Sequence, residues 1–156
     1  MGDPVKRIER RSKRSIFQAY LESARKNGGN TVALVDGDGK NFTFKEITRA
    51  AFALGGALAR KTASKENVGV LMPTSAGAMI AFFALLARGR TPAMLNFTSG
   101  SRNILAACKA AQVSRIVTAK KFIELANLQK LVDELSAGVD IVYLEDVKAE
   151  LNWRDK

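Results

Sequence analysis

Four short β-rich runs begin at a nearly fixed interval, and that period decides most of what the chain can become. They are residues 67–72 (NVGVLM), 91–95 (TPAML), 114–118 (SRIVT) and 139–144 (VDIVYL), starting 24, 23 and 25 residues apart. Helix-compatible stretches at residues 76–87, 101–111 and 120–136 fill the gaps. Strands joined by connections of this length pair in parallel, because an antiparallel partner needs only a tight turn. Such crossovers are right-handed and lay helices over the sheet. The period therefore predicts an α/β fold, a Rossmann-like parallel βα-repeat.

A helix and a β-hairpin precede the repeat. Ser15 is placed to cap a helix running to about Lys26, with Ile16, Ala19, Tyr20 and Ala24 as its apolar positions. Asn27-Gly28-Gly29 ends it. Residues 31–35 and 40–42 flank Asp36-Gly37-Asp38-Gly39, a turn sequence between two strands. Thr43 and Glu46 form a capping box for a second helix, whose stripe is Phe44, Ile47, Ala51, Leu54 and Leu58.

The helix predicted at residues 76–87 (AGAMIAFFALLA) is apolar on every side, which demands burial on several sides. A four-stranded sheet covers one side, so the remaining cover is expected from a larger body. The apolar run is too short to span a membrane, which takes about 20 residues. Residues 15–156 thus read as one α/β subdomain and residues 1–14 as a basic linker or tail.

Charge and composition narrow the function classes. The 156 residues hold 25 Lys and Arg against 15 Asp and Glu, a net charge of +10 that favours anionic partners. Residues 1–14 carry +4 of it, from Lys6, Arg7, Arg10, Arg11, Lys13 and Arg14 against Asp3 and Glu9. The arm suits a membrane surface or an acidic partner; with no aromatics interleaved, no nucleic acid is expected. Cys108 is the single cysteine, so no intrachain disulfide forms and an intracellular protein is expected. The absence of histidine excludes Ser-His and Cys-His nucleophiles and histidine-ligated metals.

In open α/β sheets ligands bind beyond the carboxyl ends of the strands. The turn Asn96-Phe97-Thr98-Ser99-Gly100-Ser101 lies at such a point, making Asn96, Thr98 and Ser99 the candidate substrate-binding residues. Neither a Walker loop nor a Gly-x-Gly-x-x-Gly fingerprint occurs. The simpler reading of Thr-Ser-Gly-Ser is a cap, with Ser99 or Ser101 accepting an amide of the next helix. Lys120-Lys121 faces a phosphate or solvent, Asp36 and Asp38 form a turn in preference to a metal pair, and Cys108 belongs to the core. An alternative reading makes the chain a stand-alone module holding an anion at Thr74, Thr98 and Thr118.

The stretches FTFKEITRAAFALGGALAR, PAMLNFTSGSRNILAACKAAQ and VYLEDV resemble the N-terminal part of AMP-forming acyl-activating enzymes, the ANL N-terminal subdomain. Within that family they are similar to the synthetase half of bifunctional 2-acylglycerophosphoethanolamine acyltransferase/acyl-[acyl carrier protein] synthetases. The resemblance implies a parent that adenylates a fatty acid with ATP and Mg2+ and passes it to acyl carrier protein. That parent serves lysophospholipid acylation on the cytoplasmic side of a bacterial inner membrane. It also implies that the rest of the synthetase domain is a partner and that no cofactor is held by this chain. The family's phosphate loop, Thr-Ser-Gly-Ser/Thr-Thr/Glu-Gly-x-Pro-Lys, has no counterpart in FTSGSRNIL, so no catalytic residue carries over. The chain is expected to be incomplete relative to the family and inactive alone.

Overall fold

A computed structural model of the chain describes residues 13–154; the basic arm lies outside the described residues apart from Lys13 and Arg14. Helix α1 (Ile16–Asn27) opens on a reciprocal capping box, Ser15 Oγ accepting from the Gln18 amide and Gln18 Oε1 from the Ser15 amide. Strands β1 (Val32–Val35) and β2 (Asn41–Thr43) pair antiparallel. Thr43 then caps α2 (Phe44–Leu58) through the box with Glu46 that the sequence predicts.

The repeat follows as β3 (Asn67–Val70), α3 (Ala76–Ala87), β4 (Thr91–Met94), a 3-10 turn (Phe97–Ser99), α4 (Ser101–Ala110), β5 (Arg115–Thr118), α5 (Lys120–Leu125), α6 (Gln129–Ser136), β6 (Asp140–Tyr143) and α7 (Leu144–Arg154). All four strands of this sheet are parallel, in the order β4-β3-β5-β6. The α/β class and the helix-plus-hairpin preface are as expected.

Period-2 alternation divides the sheet's side chains between two layers. Val68, Val70 and Val117 face α2, α3 and α7, packing with Leu54, Leu58, Ala84, Leu85 and Val147. Ile116 and Leu71 face the other way, against Ile104 and Cys108 of α4 and Leu135 of α6. Cys108 is core, and burial pushes its thiol up. Each fully buried aliphatic side chain contributes about 1.5–3 kcal/mol.

Four expectations need correction. The further cover for α3 comes from within the chain: α1 and α2 lie over it, with Phe17, Ile47 and Ala51 against Phe83 and the Tyr20 ring stacked at 4.2 Å on Phe83. The face of α1 is turned by one residue, since Ile16 is 60% exposed and Phe17 is buried; this lets Phe17 set its ring edge on Phe52. Residues 120–136 form two helices, broken where Asn127 turns left-handed (φ 53°). The run predicted at residues 139–144 ends as a strand at Tyr143, and Leu144 begins α7 directly, with Glu145 and Asp146 in its first turn.

Two contacts hold the layers in place. A Cβ on Gly55 would lie 2.6 Å from the Ala84 carbonyl oxygen, so glycine is what lets α2 and α3 approach. At the amino ends of the strands, Glu66 accepts from the Ala63 amide (2.5 Å), Arg115 Nη1 (2.7 Å) and Ser114 Oγ (3.3 Å). Burial pushes the Glu66 carboxyl up, but these donors outweigh it and hold it below the usual range.

Gly55→Ala is expected to destabilise by about 1–3 kcal/mol despite alanine's better helix propensity, because backbone is overpacked. Gly56→Ala, whose new Cβ would touch only Arg88 Nη2 at 3.4 Å, is the control in thermal melts and should be neutral to stabilising by up to about 1 kcal/mol. Glu66→Gln should cost about 1.5–3 kcal/mol at neutral pH. A carboxyl lowered by folding stabilises above its unfolded pKa and loses that contribution as pH falls through the folded one. The gap between wild type and variant in urea titrations should therefore close below about pH 4.

Candidate functional site

The chain runs from β3 out to β4 and back across to β5, so the turns after β3 and β5 diverge at the carboxyl edge of the sheet, where α/β folds bind ligands. Asn96, Thr98 and Ser99 are brought together there in one exposed turn. Asn96 Oδ1 accepts from the Thr98 amide (3.0 Å) and from Thr98 Oγ1 (2.8 Å). The Ser99 carbonyl accepts from Asn103 Nδ2 (2.8 Å).

The predicted serine cap is not formed. Gly100, in the left-handed region at φ 77°, occupies the cap position of α4 without a side-chain bond, and Ser101 Oγ donates to Glu134. Asn96 does the capping instead, for the 3-10 turn. Within the turn, Asn96 and Thr98 thus serve each other.

The other strand ends are equally committed. Thr118 is fully buried, its hydroxyl donating to the Leu71 carbonyl at 2.7 Å, so it cannot join Thr74 and Thr98 around an anion. Glu145 accepts from the Lys120 and Lys121 amides at 2.9 and 3.3 Å, capping α5 from the first turn of α7. Burial raises the Glu145 carboxyl, yet those amides bring it below the usual range. The hydrogen bond that Lys120 Nζ donates to Asp146 Oδ1 raises the Lys120 pKa, and the ammonium also sits 5.4 Å from the Tyr143 ring centre. Lys120 is therefore paired with a carboxylate and does not face a phosphate.

Asp36 has a role the sequence concealed. Its Oδ1 accepts from the Gly37 amide (3.0 Å) and also from the Ala76 amide (3.2 Å), capping α3 from the hairpin forty residues away. Ser75 Oγ takes the Ala78 amide at 3.2 Å. Asp38 accepts from the Lys40 amide. Among the described residues no group of three or more His, Cys, Asp or Glu is placed to hold a metal ion.

Docking the hairpin on α3 creates a cavity of about 540 Å3 between Leu34 and Val35 on one side and Met79 and Phe82 on the other, floored by Met72 and bordered by Met94. Three of the chain's four methionines line it, and Val35, Met79 and Met94 are exposed at its rim. Methionine's unbranched, polarizable side chain adapts to irregular apolar partners. The sequence gives no local sign of this cavity, because its walls come from three separate segments.

Residues 21–156 match the family described as AMP-binding enzyme. Among solved structures, o-succinylbenzoate CoA synthetase from Bacillus subtilis in complex with its acyl-adenylate intermediate is 17% identical over 82% of this chain and 32% of that one, TM-score 0.68. The same enzyme has been solved with ATP and magnesium ion. VinN in complex with 3-methylaspartate is 16% identical over 88% of this chain and 37% of that one, TM-score 0.71. The N-terminal subdomain of Klebsiella oxytoca NpsA with 3-hydroxybenzoyl-AMSN is 16% identical over 85% and 31%, TM-score 0.67. Likeness at this identity establishes the fold. The chain spans about a third of the length of these structures.

Asp36→Ala should detach the hairpin from α3. Loss of one helix cap costs about 1 kcal/mol, and hydrogen exchange should speed up selectively at the amides of β1, β2 and Ala76 while the β3–β5 ladder stays protected.

Proposed function

The chain belongs to the AMP-binding enzyme family, and on that premise we propose that it is the N-terminal subdomain of a long-chain fatty acid:[acyl carrier protein] ligase. The subdomain is a scaffold: it contributes a wall of the acyl pocket and has no reaction centre of its own. The observation that carries this reading is the pairing of an apolar cavity with strand-end turns in which Thr98, Ser101, Thr118 and Lys120 are already engaged by other residues. A volume of about 540 Å3 is within the range of small-molecule sites, roughly 300–1,000 Å3.

The residues present do not fit ATP and Mg2+, the parent's expected co-substrates. A phosphate clamp needs preorganised donors aimed at the transferring group. Thr98 Oγ1 donates to Asn96, the Lys120 and Lys121 amides donate to Glu145, and Lys120 pairs with Asp146. Asp36 places a carboxylate at the amino end of α3, which repels an anion there. The clamps then belong to residues of the synthetase outside this subdomain.

Acyl carrier protein as acceptor, lysophospholipid as eventual recipient and the inner membrane as location follow from the sequence resemblance. Among the described residues no helix is long and apolar enough to cross a membrane.

ATP–pyrophosphate exchange tests the scaffold reading. The 156-residue chain with a long-chain fatty acid and MgATP should show no exchange above background, and MgATP should not shift its melting temperature; fatty-acid-dependent exchange would contradict the proposal. In a synthetase carrying this subdomain, Met79→Asp should raise KM for a long-chain acid at least tenfold, about 1.4 kcal/mol, and leave a short acid unaffected. Thioester formation on coenzyme A and none on holo-acyl carrier protein would refute the carrier-protein assignment.

A further inference from the structure

A second concavity, about 350 Å3, runs between α1 and α2 and differs in kind from the first. Its floor is apolar, Leu21, Ala24 and Phe44, and its rim carries Arg25, Lys45 and Arg49. Among the described residues no carboxylate lines it. The acidic residues nearest in sequence are committed elsewhere: Glu22 bonds Arg14, and Glu46 folds back on Thr43. None of the three rim cations forms an ion pair among the described residues.

Beyond the groove's own lining, α2 carries one more exposed aromatic, Phe52. Phe52 follows Lys45 and Arg49 at the i+7 and i+3 positions, so all three share one face of the helix. Its ring is 42% exposed and is steadied edge-on by Phe17 at 5.5 Å. Three unpaired cations bordering apolar and aromatic side chains are the composition of an interfacial surface: the cations meet anionic headgroups and the apolar groups enter the headgroup–acyl boundary. A soluble phosphate would use the cations and leave Phe44, Leu21 and Phe52 without a role.

We propose that the groove between α1 and α2, with Arg25, Lys45, Arg49 and Phe52, is a docking site for an anionic phospholipid membrane surface. The site is separate from the basic arm and independent of the ligase reading.

Co-sedimentation of the full chain with phosphatidylcholine vesicles, with and without phosphatidylglycerol, tests it. Wild type should partition onto the anionic vesicles only, and binding should fall steeply with salt. The triple variant Arg25→Glu, Lys45→Glu, Arg49→Glu should lose on the order of 100-fold or more in partition coefficient, since each cation near the surface contributes several-fold. The charge-conserving variant Arg25→Lys, Lys45→Arg, Arg49→Lys should bind like wild type, and a cooperative thermal melt of the charge-reversed variant shows that its loss is electrostatic and not misfolding. Replacing Lys6, Arg7, Arg10 and Arg11 by Gln should leave the groove's contribution in place. Three results would overturn the proposal: unchanged partition in the charge-reversed variant, complete loss of binding when the arm alone is neutralised, or stabilisation by inorganic phosphate that needs the three cations while vesicles fail to bind.

Discussion

Helix α3 has no polar face, and the architecture is arranged around that fact. Its twelve residues, AGAMIAFFALLA, contain no charged or hydrogen-bonding side chain, so every side left in water forfeits burial free energy. The sheet takes Ala81, Ala84 and Leu85, and the α1–α2 pair takes Phe83. Gly55 sets how closely α2 can approach, while the Tyr20 hydroxyl, which donates to the Phe44 carbonyl and lies 3.1 Å from Thr48 Oγ1, pins α1 to the start of α2. The hairpin closes the amino end through Asp36. What remains uncovered, Met79 and Phe82, is the cavity wall.

The turn at residues 96–101 shows why composition alone misleads about phosphate binding. A phosphate loop works by leaving amides and a cation unsatisfied until the ligand arrives. Here Asn96 Oδ1 already holds the Thr98 amide and hydroxyl, and Glu134 holds Ser101. The same residue types in the same order build a self-contained turn when a short acceptor side chain stands two residues ahead of the first hydroxyl.

Local chemistry was legible in the sequence and long-range pairing was not. Both capping boxes depend on residues three apart, and the strand period depends on connection length, so each could be read from spacing. The choice of Ser99 or Ser101 as cap failed because Gly100, at positive φ, takes the cap position itself, leaving Ser99 one residue too early and Ser101 as the first helical residue. The one-residue error on α1 arose because Ile16 and Phe17 both fit an apolar period, and only the position of Phe52 and Phe83 decides between them. Asp36 on Ala76, Glu145 on Lys120 and Thr118 on Leu71 join positions 40, 25 and 47 residues apart. No pattern within one segment encodes such pairs. The candidate site suffered most, since its cavity is assembled from three segments.

The distribution of charge follows from the same commitments. Asp36, Asp38, Glu46, Glu66 and Glu145 each accept backbone amides, so a third of the chain's fifteen acidic residues act as caps or turn locks. Carboxylates used this way are drawn toward the backbone, and of the five only Glu66 also pairs with a cation among the described residues, Arg115. Four of these five carboxylates thus neutralise no cation among the described residues, while the groove between α1 and α2 is lined by Arg25, Lys45 and Arg49. At the strand-end cavity the balance reverses, because the cap that builds the cavity brings Asp36 with it. Folding thus sorts one basic chain into an apolar cavity with an acidic neighbour and a cationic groove with an apolar floor.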